Sequence, residues 1–195
     1  PSIESVFVVH FTESPMVLQN NERTWNELLN SSASTINFTQ LPFDHPLYIL
    51  YSSGTTGLPK SIVHGAGGTL LKHLTEHRYH ADVHPGDRMF YFTTCGWMMW
   101  NWLVSGLASG ATLILYDGAP GFPDIARMWR LIDEQRISHF GTSPNFLSAV
   151  NKAGYSPKAN HKLDSLRAIL STGSPLPADL FSWIYAEVAS VALMS

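Results

Sequence analysis

From residue 88 onward, short apolar runs alternate with longer stretches in which apolar residues recur every three or four positions. Short apolar runs are typical of buried strands, and the longer periodicity is typical of helices. The pattern predicts strands at 88–94, 111–116, 137–140 and 166–170, and helices at 103–109, 124–136, 145–153 and 177–188. This alternation predicts an α/β fold with a mostly parallel sheet flanked by helices.

The first part of the chain has a less regular pattern. It predicts strands at 5–10, 47–50 and 61–64, helices at 24–29 and 69–80, a flexible turn at 65–68, and loops at 30–39 and 155–162. The strand at 61–64 is expected to pair back on 47–50. No residue before position 47 belongs to a pattern with an identifiable chemistry.

Polar loops rich in Gly, Ser or Thr follow four of the predicted strands, at 52–57, 94–96, 141–143 and 171–174. The carboxyl ends of parallel strands meet at one edge of a sheet, where α/β proteins bind ligands. We therefore expect the last three loops to line one crevice.

The loop at 52–57 contains four hydroxyl side chains and two glycines in six residues, and Lys60 follows it. Glycines let backbone N–H groups approach phosphate oxygens, while hydroxyls and a lysine add donors and positive charge. A polar surface turn has the same composition. Composition alone leaves both interpretations open.

The common phosphate-binding motifs do not fit this loop. A Walker loop needs Gly-Lys-Ser/Thr after four residues, whereas Pro59 precedes Lys60 here. In the glycine-rich segment that begins at Gly65, Leu70 stands where a dinucleotide fingerprint has its third glycine. The chain also has no kinase catalytic loop. A phosphate loop in this chain would be of another kind.

Three tryptophans and two methionines lie within the six residues 97–102, directly after a predicted strand. An aromatic and methionine stripe at helical spacing is typical of a core. Its position at the end of a strand is also typical of a pocket wall, and methionines form adaptable apolar surfaces. Both interpretations stay open for Trp97, Met98 and Met99.

His73, His77 and His80 are spaced to share one face of a helix. No carboxylate or cysteine completes a metal-ligand set, and Glu76 does not have the His-Glu-x-x-His spacing. Packing histidines are favoured over a zinc site, and we assign no metal ligand.

Composition indicates a globular chain, with 45% hydrophobic and 14% charged residues. The net charge of −3 and the absence of a Lys/Arg cluster argue against a nucleic-acid surface.

The single Cys95 cannot form an internal disulfide and suits a reducing compartment. With no run of 18 apolar residues and no signal peptide, we expect a cytoplasmic chain that does not engage a membrane. The oligomeric state stays open.

Residues 52–60 resemble the signature loop of the adenylate-forming superfamily, which includes the acyl-CoA synthetases. Residues 64–68 and 84–87 resemble the acetyl-CoA synthetase group of that superfamily. Residues 95–102 and 169–176 are similar, more narrowly, to the acetoacetyl-CoA synthetase family. The resemblance covers roughly residues 40 to 190 and implies part of the N-terminal domain of an adenylate-forming enzyme.

The resemblance implies an ATP-dependent acid–thiol ligase that uses ATP, Mg²⁺ and coenzyme A, with acetoacetate as the acid. It implies that the ATP phosphates contact Ser52, Ser53, Gly54, Thr55, Thr56, Gly57 and Lys60. It implies that adenine packs on Gly173, Ser174 and Pro175, and that the acyl and CoA pocket is walled by Trp97, Met98, Met99, Thr142 and Ser143. Pro144 belongs to the same loop as the last two.

The superfamily's catalytic lysine and its magnesium-binding glutamate match no residue of this chain, and Lys60 corresponds only to a phosphate contact. The resemblance would put the glutamate just beyond Ser195. We expect residues 1–195 to be a partial adenylation domain without its C-terminal domain, inactive by itself. The apolar run 188–194 is expected to expose surface that favours self-association. An acetyl- or short-chain acyl-CoA synthetase and a non-catalytic nucleotide-binding module remain alternatives.

Overall fold

The computed structural model describes residues 2–11, 15, 17–30, 35–52 and 57–195. Its internal contacts divide the chain into two compact units, residues 1–41 and residues 42–195. Within those described ranges, no helix is long and apolar enough to cross a membrane.

The smaller unit contains two short parallel strands and one helix. Strand β1 (Val6–Val8) pairs with β2 (Glu22–Thr24), and α1 (Trp25–Leu29) follows directly. The hydroxyl of Thr24 accepts the N–H of Glu27 at 3.3 Å, and the Glu27 carboxylate accepts the N–H of Thr24 at 3.2 Å. This reciprocal capping box fixes the start of the predicted helix. Strand β2 was not predicted, because its sequence Glu-Arg-Thr is polar throughout.

The larger unit opens with an antiparallel hairpin of β3 (Pro46–Ser52) and β4 (Lys60–Gly65). Leu50 lies opposite Ile62, and Ser52 lies opposite Lys60. The predicted pairing of these two segments is therefore confirmed.

Helix α2 (Ala66–Thr75) follows β4 without a turn and continues as a π-helical turn, Glu76–His80. The predicted flexible turn at 65–68 is wrong. A Cβ at Gly67 would lie 2.2 Å from the ring of Phe43, so this glycine allows a close contact inside the first helical turn. The Gly67 N–H also donates to the carbonyl of Phe43 at 2.8 Å.

A five-stranded parallel sheet forms the centre of the larger unit. Its strands lie in the order β6-β5-β7-β8-β9. In chain order they are β5 (Arg88–Tyr91), β6 (Thr112–Ile114), β7 (His139–Thr142), β8 (Ala168–Ser171) and β9 (Ala192–Met194). The α/β fold with a mostly parallel sheet is confirmed. The apolar run 188–194 includes the edge strand β9, which pairs with β8, and Val188 is buried. Self-association through this run stays a prediction.

Helices cover both faces of this sheet. They are α3 (Met98–Ser105) with a 3₁₀ turn at Gly106–Ser109, α4 (Arg127–Gln135), α5 (Pro144–Lys152), α6 (Pro157–Asn160) and α7 (Ala178–Glu187). Asp124 precedes α4 by three residues and accepts from the N–H of Ala126 at 2.9 Å, so the expected helix start at 124 is too early. Helix α6 replaces the loop expected at 155–162, with Ser156 as its cap.

Two hydrophobic clusters lie on opposite faces of the sheet. Ile169 belongs to the cluster under α4, α5 and α7, whereas its neighbour Leu170 belongs to the cluster that contains Trp102 of α3. Neighbouring residues of a strand point to opposite faces, so β8 contributes to both clusters. All four residues of β7 and of β8 are buried, as parallel strands covered on both faces require.

Gly141 in β7 provides a test of this packing. A Cβ at position 141 would lie 2.1 Å from the ring of the buried Tyr91, so the ring or the strand would have to shift. We expect Gly141→Ala to lower the free energy of unfolding by roughly 1–3 kcal/mol, because overpacking a core forces side chains off their rotamers. Urea denaturation of the two proteins measures this. Gly121→Ala is the matched control, since a Cβ there meets nothing within 4 Å; equal losses in both variants would contradict the packing account.

Candidate active site

The loops that follow β5, β7 and β8 lie side by side at the carboxyl edge of the sheet. Tyr91 pairs with Gly141, and Thr142 pairs with Ser171. Beyond the strand ends, the Thr172 N–H donates to the carbonyl of Thr142 at 3.3 Å. The three loops thus meet at one edge. Ser171 and Thr172 line one cavity there, Thr94 and Cys95 line a separate hollow, and residues 141–143 line neither, so a single crevice lined by all three loops is not confirmed.

A cavity of about 320 Å³ opens at this edge, and we refer to it as the edge cavity. Most of its wall is apolar, and polar side chains reach it from α2 and its π-helical turn and from the end of β8. This combination is typical of small-molecule sites. It is lined by Lys72, Glu76, His80, Ala81, Tyr91, Met98, Met99, Trp102, Leu170, Ser171, Thr172, Met194 and Ser195.

The tryptophan and methionine stretch serves both as pocket wall and as core. Met98 and Met99, in the first turn of α3, line the edge cavity. Trp102, one turn later, lines it as well and is also buried in the core. Trp97 precedes the helix, is 69% exposed and does not line the cavity.

Glu76 and Lys72 are a pair of oppositely charged side chains in the wall of the edge cavity. Lys72 Nζ lies 2.7 Å from one carboxylate oxygen of Glu76, and the indole N–H of Trp102 donates to the other at 3.0 Å. Burial raises the pKa of Glu76, but the hydrogen bonds from Lys72 and Trp102 and the charge of Lys72 outweigh it and hold this pKa below its usual value. The carboxylate is therefore charged at neutral pH.

His77 lies behind Trp102, fully buried, with the two ring centroids 4.3 Å apart and edge to face. Its Nε2–H donates to the carbonyl of Trp102 at 3.1 Å. His73 is also buried and pairs with the hydroxyl of Ser105 at 2.8 Å. These histidines pack the interior and are more buried than the sequence indicated. In the described part of the chain, no three His, Cys, Asp or Glu side chains are grouped so as to hold a metal ion.

Thr142 and Ser143 shape the edge without lining the edge cavity. Thr142 is buried, and its carbonyl accepts from the hydroxyl of Tyr91 at 3.5 Å. The hydroxyl of Ser143 accepts the N–H of Phe146 at 3.3 Å and caps α5. The Ser143 hydroxyl thus has a structural partner, whatever else it contacts.

Gly173, Ser174 and Pro175 form an exposed loop directly after β8. Gly173 has a φ of +103°, a backbone conformation that favours glycine. The loop is next to Thr172, which lines the edge cavity. A flat ligand group bound on this loop would therefore adjoin the edge cavity.

The predicted phosphate loop connects the two strands of the β3–β4 hairpin. Ser52 and Lys60 are paired at the loop end of the hairpin, and a Cβ added at Gly57 would meet nothing within 4 Å. The connection joins two antiparallel strands, which differs from the strand-to-helix turn of a Walker loop. The remaining predicted phosphate contacts lie outside the described residues: Ser53, Gly54, Thr55 and Thr56.

A second hollow of about 540 Å³, the hairpin groove, runs between the hairpin and α2. Its far side includes Tyr48 and Val63. Lys72, Glu76 and Met98 line both this groove and the edge cavity, so the two hollows are neighbours with a common wall.

Sequence reasoning missed Lys72, Glu76, Trp102 and Thr172 as lining residues. Trp102 could have been found, because it lies one helical turn beyond Met98 and Met99. Lys72 and Glu76 are spaced as an ordinary surface ion pair, so their spacing alone does not indicate a site.

The family model described as AMP-binding enzyme matches residues 3–194. The chain belongs to this family. It is 58% identical over 153 residues to an acetoacetyl-coenzyme A synthetase of Rhizobium meliloti, and this match covers 78% of this chain and 24% of the relative. It is 45% identical over 183 residues to a malonamoyl-CoA synthetase of Penicillium aethiopicum, with 86% of this chain and 25% of the relative covered.

A solved structure of acetoacetyl-CoA synthetase from Streptomyces lividans is also similar. It matches with a TM-score of 0.86 and 42% identity, over 98% of this chain and 30% of the other. The chain thus spans about a quarter of the length of the curated relatives it matches.

The pKa of His77 predicts a pH effect on stability. Burial lowers this pKa from 6.5 to about 4 in the folded chain. The unfolded chain therefore binds a proton at pH values where folded His77 stays neutral, and the free energy of unfolding should fall as the pH drops from 6.5 to about 4. We expect His77→Gln to flatten that slope. Urea midpoints measured across this window test it. The other histidines are common to both proteins, so an unchanged slope would contradict the assignment.

Proposed function

We propose that the chain forms part of an AMP-forming acid–CoA ligase that activates acetoacetate. The observation that carries the proposal is the edge cavity, a small and largely apolar hollow whose wall includes Met98 and Met99. The relatives named acetoacetyl-CoA synthetase support the choice of acid.

The reaction has two steps. An oxygen of the acid's carboxylate attacks the α-phosphorus of ATP, and the bond to pyrophosphate breaks to leave acyl-AMP. The thiol sulfur of CoA, having lost its proton, then attacks the acyl carbon, and the bond to AMP breaks. Negative charge increases on the phosphate oxygens in the first step, so preorganised donors stabilise its transition state.

The hairpin loop suits the phosphate part of ATP. We assign phosphate contacts to Ser52, Ser53, Gly54, Thr55, Thr56, Gly57 and Lys60. Lys60 is an exposed cation at the start of β4, and a Cβ at Gly57 would meet nothing within 4 Å, which leaves room for a phosphate to approach the backbone there. The superfamily's magnesium-binding glutamate matches no residue of this chain, so we assign Mg²⁺ to none of residues 1–195.

The loops of the carboxyl edge suit the other parts of the substrates. We assign the adenine to Gly173, Ser174 and Pro175, and the acyl and CoA groups to Trp97, Met98, Met99, Thr142 and Ser143. Of the latter, only Met98 and Met99 line the edge cavity. The direct acyl contact is therefore assigned to these two, with Thr142 and Ser143 holding the neighbouring strand end in place.

Malonamate is a second candidate acid, favoured by the malonamoyl-CoA synthetase relative. It carries an amino group where acetoacetate carries a methyl group and is otherwise of the same length. Acetate lacks the outer half of both acids and would leave much of the edge cavity unfilled, with loss of packing contacts.

The proposal treats residues 1–195 as a partial adenylation domain. The superfamily's catalytic lysine matches no residue here, so we expect this chain alone not to complete the reaction. A cytoplasmic location rests on the single Cys95 and stays a prediction.

Acid-dependent exchange between ATP and pyrophosphate by the native-length polypeptide tests the function. We expect exchange with acetoacetate to exceed exchange with malonamate, and both to exceed exchange with acetate. A preference for acetate would agree with the proposed reaction but would contradict acetoacetate as its acid. Measurable ATP binding without exchange for any short acid would favour a non-catalytic nucleotide-binding module instead.

Lys60 gives a sharper test of the phosphate loop. Lys60→Ala in the native-length polypeptide should lower kcat/KM for ATP by about tenfold or more, since it removes one charged hydrogen bond, worth roughly 1.5–3 kcal/mol. Lys158→Ala is the matched control, because Lys158 is an equally exposed lysine on α6, away from the edge cavity. Equal values of kcat/KM in the two variants would remove Lys60 from the phosphate site.

A further inference from the structure

The edge cavity and the hairpin groove raise the question of what separates them. We infer that Glu76 is a specificity-determining residue that closes the edge cavity against the hairpin groove and so limits the length of the acid. This inference rests on the proposed function, because it concerns the acid that the edge cavity accepts.

The position of Glu76 is the first support. Only three residues line both hollows in the described part of the chain: Lys72, Glu76 and Met98. Met98 belongs to α3, whereas Lys72 and Glu76 are one turn apart on α2 and its π-helical continuation. The wall between the hollows is therefore one apolar side chain beside one ion pair.

The contacts of Glu76 are the second support. One oxygen is bound by Lys72 at 2.7 Å and the other by the indole N–H of Trp102 at 3.0 Å. Trp102 itself is buried and held edge-on against His77. A carboxylate bound on both oxygens, with one partner fixed in the core, stays in one orientation. Glu76 thus forms a rigid barrier, although its side chain is 32% exposed.

The charge of the wall is the third support. An acid that extends past Met98 would press apolar carbons against the Glu76 carboxylate and the Lys72 ammonium group. Taking a charged group out of water without a new partner is costly, so a longer apolar tail is penalised by charge as well as by size. A short acid ends before this wall and avoids both penalties. Glu76 therefore acts through the shape and the charge of the cavity wall and contacts no reacting atom.

The test compares two acids of the same chemistry and different length, acetoacetate and 3-oxohexanoate, in the native-length polypeptide. Glu76→Ala removes the barrier and joins the two hollows. We expect the ratio of kcat/KM for 3-oxohexanoate to that for acetoacetate to rise by about tenfold or more, the scale on which hydrophobic pockets discriminate by methylene groups. Glu76→Gln keeps the volume and an oxygen that accepts the Trp102 N–H but removes the charge, so its ratio should rise by less than that of Glu76→Ala.

Lys72→Ala provides an independent variant, because the Lys72 side chain is 67% exposed and its loss should not prevent folding. It should raise the ratio by less than Glu76→Ala does.

A merely structural role for Glu76 would lower kcat/KM for both acids equally. An unchanged ratio in Glu76→Ala and Lys72→Ala, with exchange intact in the unsubstituted polypeptide, would overturn this inference alone. No exchange with either acid in the unsubstituted polypeptide would overturn the proposed function and this inference together.

Discussion

The parallel pairing of β5, β7 and β8 determines where everything else in the larger unit lies. After each parallel strand, the chain must cross a face of the sheet before the next strand begins. Helices therefore cover both faces, and the carboxyl ends of the strands lie at the same edge. These strands pack so closely that a side chain at position 141 would collide with the ring of Tyr91, and only glycine leaves room for that ring. The edge cavity is the space that remains where these strands end and α3 begins.

Much of the fold could be predicted from the sequence because the buried strands are short apolar runs. Phe140 and Ile169 lie in runs whose every residue is buried, and such runs stand out between polar loops. The shorter elements were missed for physical reasons. Helix α6 has four residues in a polar segment, so only Pro157 and the capping Ser156 mark it. The start of α2 was missed because Gly67 and Gly68 suggest a turn, whereas the first of them allows Phe43 to pack closely.

The site was predictable in part. The polar loops after the strands and the methionines of α3 are local features, and the sheet brings them to one edge as expected. Glu76 could not be found in this way, because its decisive partner, Trp102, is 26 residues later in the chain. An ion pair one helical turn apart is usually a solvent-exposed pair of little consequence. Only the tertiary fold shows that Lys72 and Glu76 stand between two hollows.

In the proposed function, the acid is bound in the edge cavity at the carboxyl ends of the parallel strands. A crystal structure of the native-length polypeptide with an unreactive acetoacetyl-AMP analogue, in which a sulfamate replaces the phosphate, would locate it. We expect the acyl chain against Met98 and Met99, with the adenosine beside Gly173. An acyl chain bound elsewhere, for example in the separate hollow lined by Cys95 and Asp117, would contradict it.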